Sequence, residues 1–184
     1  MDYIYFYARK QQFRCLSNFS HHSITIQDDF GTRKYSTGEH CFHGEKYYLI
    51  SQHISDSERK NKLLSYSKKF LESSNLDSPL LAKRAGGKKG LALNQKELDI
   101  WDELNIEVQR KICLWKTHNY PEIKDELLKT QNKCLIHPAI RVKEEKVKER
   151  KWEGRMIEIN GEKKIIGQNM LGKIWMEIRD EIQS

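Results

Sequence analysis

Hydrophobic and polar positions along this chain repeat with two periods. Residues 3–7 (Tyr-Ile-Tyr-Phe-Tyr) and 22–27 (His-Ser-Ile-Thr-Ile-Gln) show the two-residue alternation of strands. The second run ends in Asp28-Asp29-Phe30-Gly31, a turn sequence, and residues 32–36 return as the other arm of a hairpin. Two further β-like runs, 155–159 and 163–166, flank Asn160-Gly161, a pair suited to tight hairpin turns because both residues tolerate positive φ.

The rest of the pattern is helical. Gly38 to about Ile50 places Phe42, Lys46 and Leu49 at near-helical spacing, and residues 55–73 are polar and amphipathic, with Leu63, Leu64, Phe70 and Leu71. Pro79 opens a short helix that Gly86-Gly87 stops. Asn94 to His118 is the longest pattern, with Leu98, Trp101, Leu104, Ile106, Val108, Ile112 and Trp115 on a broad apolar face. Residues 121–130 form another helix behind Pro121, and 168–182 close the chain with Met170, Leu171, Ile174, Trp175 and Ile178 on one side. There is no internal repeat, long low-complexity tract or interdomain linker. The expectation is one helix-dominated α+β domain over residues 1–184, with small antiparallel β elements.

Composition narrows the setting. The chain has 184 residues, 38% hydrophobic and 32% charged, enough for one domain with a sizeable core. No run reaches the roughly 20 apolar residues of a membrane span. Met-Asp-Tyr-Ile-Tyr-Phe-Tyr at the start lacks the basic region of a signal peptide. The four cysteines (Cys15, Cys41, Cys113, Cys134) show no close spacing, which suits reduced thiols in the cytoplasm, or in the nucleus of a eukaryote. A formal charge of +7 favours phosphates, nucleotides or nucleic acid as partners, although a solvated lysine-rich surface gives the same number.

Candidate chemistry centres on residues 36–48, Ser-Thr-Gly-Glu-His-Cys-Phe-His-Gly-Glu-Lys-Tyr-Tyr. Glu39 falls in the first turn of a helix crowded with aromatic and imidazole groups. Two readings fit it: a half-shielded carboxylate tuned for acid–base work, or the Glu of a capping box begun by Ser36. His40 and His43, with Cys41 between them and His21-His22 upstream, raise the question of a metal. The pattern is not His-Glu-x-x-His and no Cys-x-x-Cys accompanies it, so packing and capping fit these imidazoles better. Ala82 to Gly90 mixes glycines with Lys83, Arg84, Lys88 and Lys89; it can cradle a phosphate or simply end a helix, and it is no nucleotide-triphosphatase loop. Trp101, between Asp99 and Asp102, is a core residue or a platform for a planar base. Glu144 and Glu145, among Lys143, Lys146, Lys148, Arg150 and Lys151, fit a solvated helix with ion pairs.

These motifs occur in a telling order. Arg-Cys-Leu-Ser-Asn-Phe (14–19) precedes Tyr-Ser-Thr-Gly-Glu-His-Cys-Phe (35–42), then Ala-Lys-Arg-Ala-Gly-Gly (82–87), Ile-Trp-Asp-Glu (100–103) and Gly-Gln-Asn-Met-Leu-Gly-Lys-Ile-Trp-Met-Glu-Ile-Arg (167–179). In that order they resemble the NADAR superfamily, also called YbiA-like, from about Tyr5 to Arg179. The resemblance implies an N-glycosidase with no metal or other cofactor. Some members cleave phosphoribosylated aminouracil intermediates of riboflavin synthesis, and others remove ADP-ribose from guanine in DNA. By position, Glu39 matches the family's key glutamate and Trp101 its key tryptophan. Ser17, Asn18 and Phe19 match the pocket wall, and Lys83, Arg84 and Lys88 the basic segment near the phosphates.

The family's Ser-Pro-x-Asp-x-x-Trp segment is altered here: Pro138 and Trp152 frame a longer insert, and Ile140 stands two after Pro138. Glu144 is then the expected second acid, with Glu145 the alternative. His43 replaces a common glutamine, and about 55–75 reads as a basic helical insert. Arg14, His40, Phe42 and His43 join the expected binding residues. Asn18 and Asn169 would bond ribose hydroxyls or serve as turn and helix caps. Three functions follow as expectations: hydrolysis of ADP-ribosyl-guanine in DNA, hydrolysis of phosphoribosyl-aminouracil, or non-catalytic binding of ADP-ribose or a nucleotide. The expected partners are that glycoside substrate and ADP-ribosylated DNA, with no membrane.

Overall fold

The computed structural model describes residues 2–184. Its strands are β1 (Tyr3–Tyr5), β2 (Ile24–Asp28), β3 (Gly31–Tyr35), β4 (Cys134–Ile136), β5 (Arg155–Ile159) and β6 (Glu162–Ile166). Its α-helices are α1 (Gly38–Gln52), α2 (Ser57–Ser67), α3 (Pro79–Gly86), α4 (Gln95–Asn119), α5 (Pro121–Leu128), α6 (Glu144–Val147) and α7 (Met170–Gln183). The fold is α+β, as the patterning implies. Asn18–Trp115 forms one unit; the chain up to Ser17 together with Lys116–Ser184 forms another. No helix among the described residues is long and apolar enough to cross a membrane.

In the unit Asn18–Trp115, β2 and β3 pair antiparallel from Ile24↔Tyr35 to Asp28↔Gly31. Asp28 closes the turn by accepting the Phe30 N–H at 3.0 Å. The hairpin leads into α1, which is buried on nearly every side even though Glu39, His40, Glu45 and Lys46 lie along it. Buried charges need partners. Glu45 accepts two bonds from Arg33, at 2.7 and 3.1 Å, and one from the Tyr35 hydroxyl at 2.6 Å. Arg33 also pairs with Asp28 at 2.7 Å and lies 3.8 Å from the Tyr48 ring centroid.

The basic segment 55–75 folds as α2 and a 3-10 turn, Lys68–Phe70, and Asp56 caps α2 by accepting the Arg59 N–H at 2.6 Å. Leu63 and Phe70 from this segment are fully buried in the core with Ile24, Tyr47, Ile50, Ala82 and Ile112. Tyr47 stacks on Phe70, centroids 5.9 Å apart, and meets the edge of Tyr66 at 4.7 Å. Arg59 donates two bonds of 2.6 Å to the fully buried carboxylate of Glu97. Glu97 also accepts the Asn94 N–H at 2.9 Å, while Asn94 accepts the Glu97 N–H at 3.0 Å. That is a reciprocal capping box at the start of α4. The Arg59 hydrogen bonds hold the Glu97 carboxyl below the usual carboxylate value.

In the other unit, β1 and β4 pair parallel, Tyr3↔Cys134 to Tyr5↔Ile136. The two hairpins, β2–β3 and β5–β6, are the expected small antiparallel elements, and the parallel β1–β4 pair stands beside them. Asn160 (φ 52°) and Gly161 (φ 81°) make the β5–β6 turn with both φ values positive, as their residue types favour. Helix α7 packs on β4 through Asn169. Its side chain accepts the His137 N–H at 3.0 Å and donates to the Leu135 carbonyl at 2.8 Å. Gly172 lets α7 approach closely, since a Cβ there would lie 2.1 Å from the Leu135 oxygen. Trp175 donates to the Leu16 carbonyl at 2.9 Å. Beneath it the buried Lys116 ammonium donates to the Cys15 and Ser17 carbonyls. The four cysteines are free thiols.

Asn169 is 2% exposed and adopts a left-handed backbone, φ 51°. Asn169→Ala removes two side-chain hydrogen bonds, orphans the His137 N–H and the Leu135 carbonyl, and puts alanine in a strained conformation. We expect a stability loss of about 2–4 kcal/mol, read from urea unfolding.

Candidate active site

Helix α1 starts at Thr37, whose hydroxyl accepts the His40 N–H at 3.3 Å. The expected capping box from Ser36 to Glu39 is therefore not formed: the cap lies one residue later, and the Glu39 carboxylate is released from capping. The Glu39 backbone N–H donates instead to the Asn18 carbonyl at 3.0 Å. Asn18 is itself locked to Gln109 by reciprocal amide bonds of 2.7 and 3.0 Å. A Cβ on Gly38 would come 2.9 Å from the Asn18 Oδ1, so glycine is needed for the helix start to dock here.

Glu39, Phe42, His43 and Lys46 are spaced i, i+3, i+4, i+7 and share one face of α1. Glu39 is 8% exposed. Its Oε1 lies 3.3 Å from His43 Nε2, and its Oε2 has no hydrogen bond among the described residues. A carboxylate oxygen accepts, so this contact calls for the proton of His43 on Nε2. The His43 ring meets Phe42 edge-on at 5.5 Å and Phe70 at 6.2 Å. On its remaining side lies Gly86, where a Cβ would stand 2.1 Å from His43 Cγ and Nδ1. His43 Nδ1 is buried with no hydrogen-bond partner among the described residues.

Lys46 completes the face. Its ammonium donates to the Gly86 carbonyl and lies 4.7 Å from the Tyr47 centroid. Burial lowers the Lys46 pKa to about 8, against the opposing pull of the Glu39 charge. Residue-by-residue reading overlooked this lysine. Its signal was the spacing: seven residues after Glu39, on a helix with too many aromatic and small residues to leave an exposed face.

The other expected residues divide. Trp101 is 8% exposed and meets Phe42 edge to face, centroids 5.0 Å apart, so it belongs to both the core and this face. Phe19 is half-buried with the Lys83 ammonium 5.6 Å from its ring. Lys83 and Arg84 are exposed in the last turn of α3, where cations complement the helix dipole, and Lys88 is exposed just beyond.

His40 ties the start of α1 to a distant loop. It is 1% exposed; Nε2 donates to the Leu76 carbonyl at 2.8 Å, and Nδ1 faces the Thr37 hydroxyl at 2.7 Å, so no ring nitrogen remains for a ligand. Burial holds its pKa below the ordinary imidazole value. The Asn169 amide bonds to His137 and Leu135 at β4. Arg14 (exposed) and Ser17 (buried) belong to the second unit. Glu144 and Glu145 are exposed in the first turn of the four-residue α6 of that unit, without ion pairs among the described residues. Among the described residues no three His, Cys, Asp or Glu side chains gather as a metal ion would require.

Within Asn18–Trp115, then, a shielded carboxylate with one oxygen unpaired among the described residues shares a helix face with a buried amine whose pKa burial lowers to about 8. Such a pair can stabilise positive charge, move a proton or attack an electrophilic carbon.

Comparison with known proteins agrees with the motif order. The family model described as the NADAR domain matches residues 5–183. A curated N-glycosidase of Nostoc punctiforme is 27% identical over 186 residues, covering 98% of this chain and 93% of that protein. The solution structure of the Escherichia coli protein YbiA superposes with a TM-score of 0.59 at 22% identity, covering 99% of this chain and 85% of that one. The latter likeness is one of fold.

Two outcomes follow from this geometry. Gly86→Ala drives a methyl group into His43 and displaces the ring from Glu39. We expect a stability loss of about 1–3 kcal/mol, with loss of the Glu39–His43 contact visible as a changed His43 imidazole signal by NMR. The Lys46 side chain should titrate near 8, and lower in Glu39→Gln, followed by the carbon shift of its ε-methylene. The unfolded chain then holds this proton to about pH 10.4 while the folded one releases it near 8. Between those values the unfolded state binds more protons, so stability rises with pH, and Lys46→Met abolishes that rise.

Proposed function

The chain belongs to the NADAR domain family, and from that premise we propose that it is an N-glycosidase. It hydrolyses the bond between a ribosyl C1 and a base nitrogen, and its substrate is ADP-ribosylated guanine in DNA. The observation that carries the reading is the buried Glu39–Lys46 face with Glu39 Oε2 unpaired.

Breaking a ribosyl C1–N bond builds positive charge on the sugar and negative charge on the departing base. Glu39 stabilises the sugar charge or takes a proton from the attacking water. His43 holds the carboxylate through Oε1 and leaves Oε2 for the reaction. Lys46, titrating near 8, supplies a proton or a positive charge to the leaving side. Trp101 and Phe42 offer aromatic surface to a base. Lys83, Arg84 and Lys88 neutralise the pyrophosphate, and Asn18 positions the Glu39 turn rather than a ribose hydroxyl. The +7 charge favours a substrate carried on DNA over a free phosphoribosyl-aminouracil, which gives little use to the extra cations.

Glu39→Gln should unfold at the wild-type temperature and lose at least about two orders of magnitude in turnover on an ADP-ribosyl-guanine oligonucleotide. Unchanged turnover would return Glu39 to a structural role. Preferential cleavage of the aminouracil phosphate would move the substrate to the metabolite, and ADP-ribose binding without cleavage of either would make the protein a binding module.

A further inference from the structure

The longer insert between Pro138 and Trp152 builds a feature of its own. It carries Arg141, Lys143, Lys146, Lys148, Arg150 and Lys151 against Glu144, Glu145 and Glu149, a surplus of three positive charges. Arg141, Val142, Lys143, Lys146, Glu149 and Arg150 line a cleft of about 420 Å³. Of the four cations lining this cleft, Lys146 is offset by Glu149 at 3.3 Å. Arg141, Lys143 and Arg150 are exposed and have no ion pair among the described residues.

A flexible lysine-rich loop would not hold such a shape, but this one is pinned. Arg155 donates to the Ala139 and Val142 carbonyls at 2.8 and 2.6 Å, on either side of Arg141, whose backbone is left-handed (φ 58°). Val147 is fully buried beneath α6. The Arg150 carbonyl accepts the Gln168 N–H at 2.8 Å, and Ala139 donates to Gly154 at 3.2 Å. The loop therefore presents three uncompensated cations from a fixed backbone.

We infer that this cleft binds the phosphodiester backbone of nucleic acid. A site for one isolated phosphate encloses it with convergent backbone amides. Here the donors are long exposed side chains spread along an open cleft, the arrangement that suits successive phosphates of a strand. The choice of DNA as the strand rests on the function proposed above; the cleft's affinity for a polyanion does not.

The test compares the wild-type chain with Arg141→Ser/Lys143→Ser/Arg150→Ser, whose changes are all exposed. A control, Lys62→Ser/Lys68→Ser/Lys69→Ser, removes equal charge from exposed positions of the other unit. Binding of an unmodified fluorescent DNA duplex is followed by anisotropy across a salt series. The cleft variant should bind at least about tenfold more weakly, with a salt slope shallower by about 2–3, and the control should change far less. Hydrolysis of strand-free ADP-ribosyl-guanosine should be equal in the cleft variant and wild type. Unchanged DNA affinity, or an equal loss in the control, overturns the inference. Equal loss of free ADP-ribosyl-guanosine turnover reassigns the cleft to the substrate pyrophosphate and overturns it too. If wild type cleaves no glycoside, the N-glycosidase reading fails while the anisotropy still decides the cleft.

Discussion

The unit Asn18–Trp115 is organised by the cost of enclosing a polar helix. Helix α1 brings Glu39, His40, Glu45 and Lys46 out of water, and an unpaired buried charge costs several kcal/mol. Each therefore recruits a different neighbour. The β2–β3 hairpin supplies Arg33 and Tyr35 to Glu45. The loop at Leu76 serves His40, and the end of α3 serves Lys46. The elements around α1 are thus placed by hydrogen bonds as much as by apolar contact. Glu39 is the one member left partly unsatisfied, which is what a group held ready for chemistry should be.

The same logic explains why so many family-like motifs turn out to be structural. The Asn-x-Leu-Gly segment clamps α7 to β4, because an asparagine in left-handed conformation can reach the His137 N–H and the Leu135 carbonyl together. Gly38 and Gly86 are needed for close approach, not for phosphate contact. His40 ties a helix start to a distant loop. Gly38 and His40 fix the start of α1 and, with it, where Glu39 stands.

Local grammar made much of this fold legible. Pro79 and Pro121 mark helix starts, Gly86-Gly87 a helix end and Asn160-Gly161 a hairpin, and each does so in the structure. Glu39 and Trp101 were legible as special because a carboxylate and an indole stand in unusual company. What escaped depends on distant partners. The parallel β1–β4 pair joins strands separated by most of the sequence and has no neighbouring turn to announce it. Thr37 and Ser36 are equally able caps, and only the docked helix start selects between them. Lys46 reads as an ordinary surface lysine until its helix is known to be enclosed.

The contact between Gly86 and His43 reaches beyond this one molecule. An imidazole occupies the volume where any other residue at 86 would place its first side-chain carbon. The two positions cannot drift independently. A lineage that trades His43 for something slimmer gains freedom at 86, and one that first adds bulk at 86 must already have given up the ring. Descendants of this sequence should therefore carry paired changes at these sites, written by steric exclusion rather than by the reaction itself.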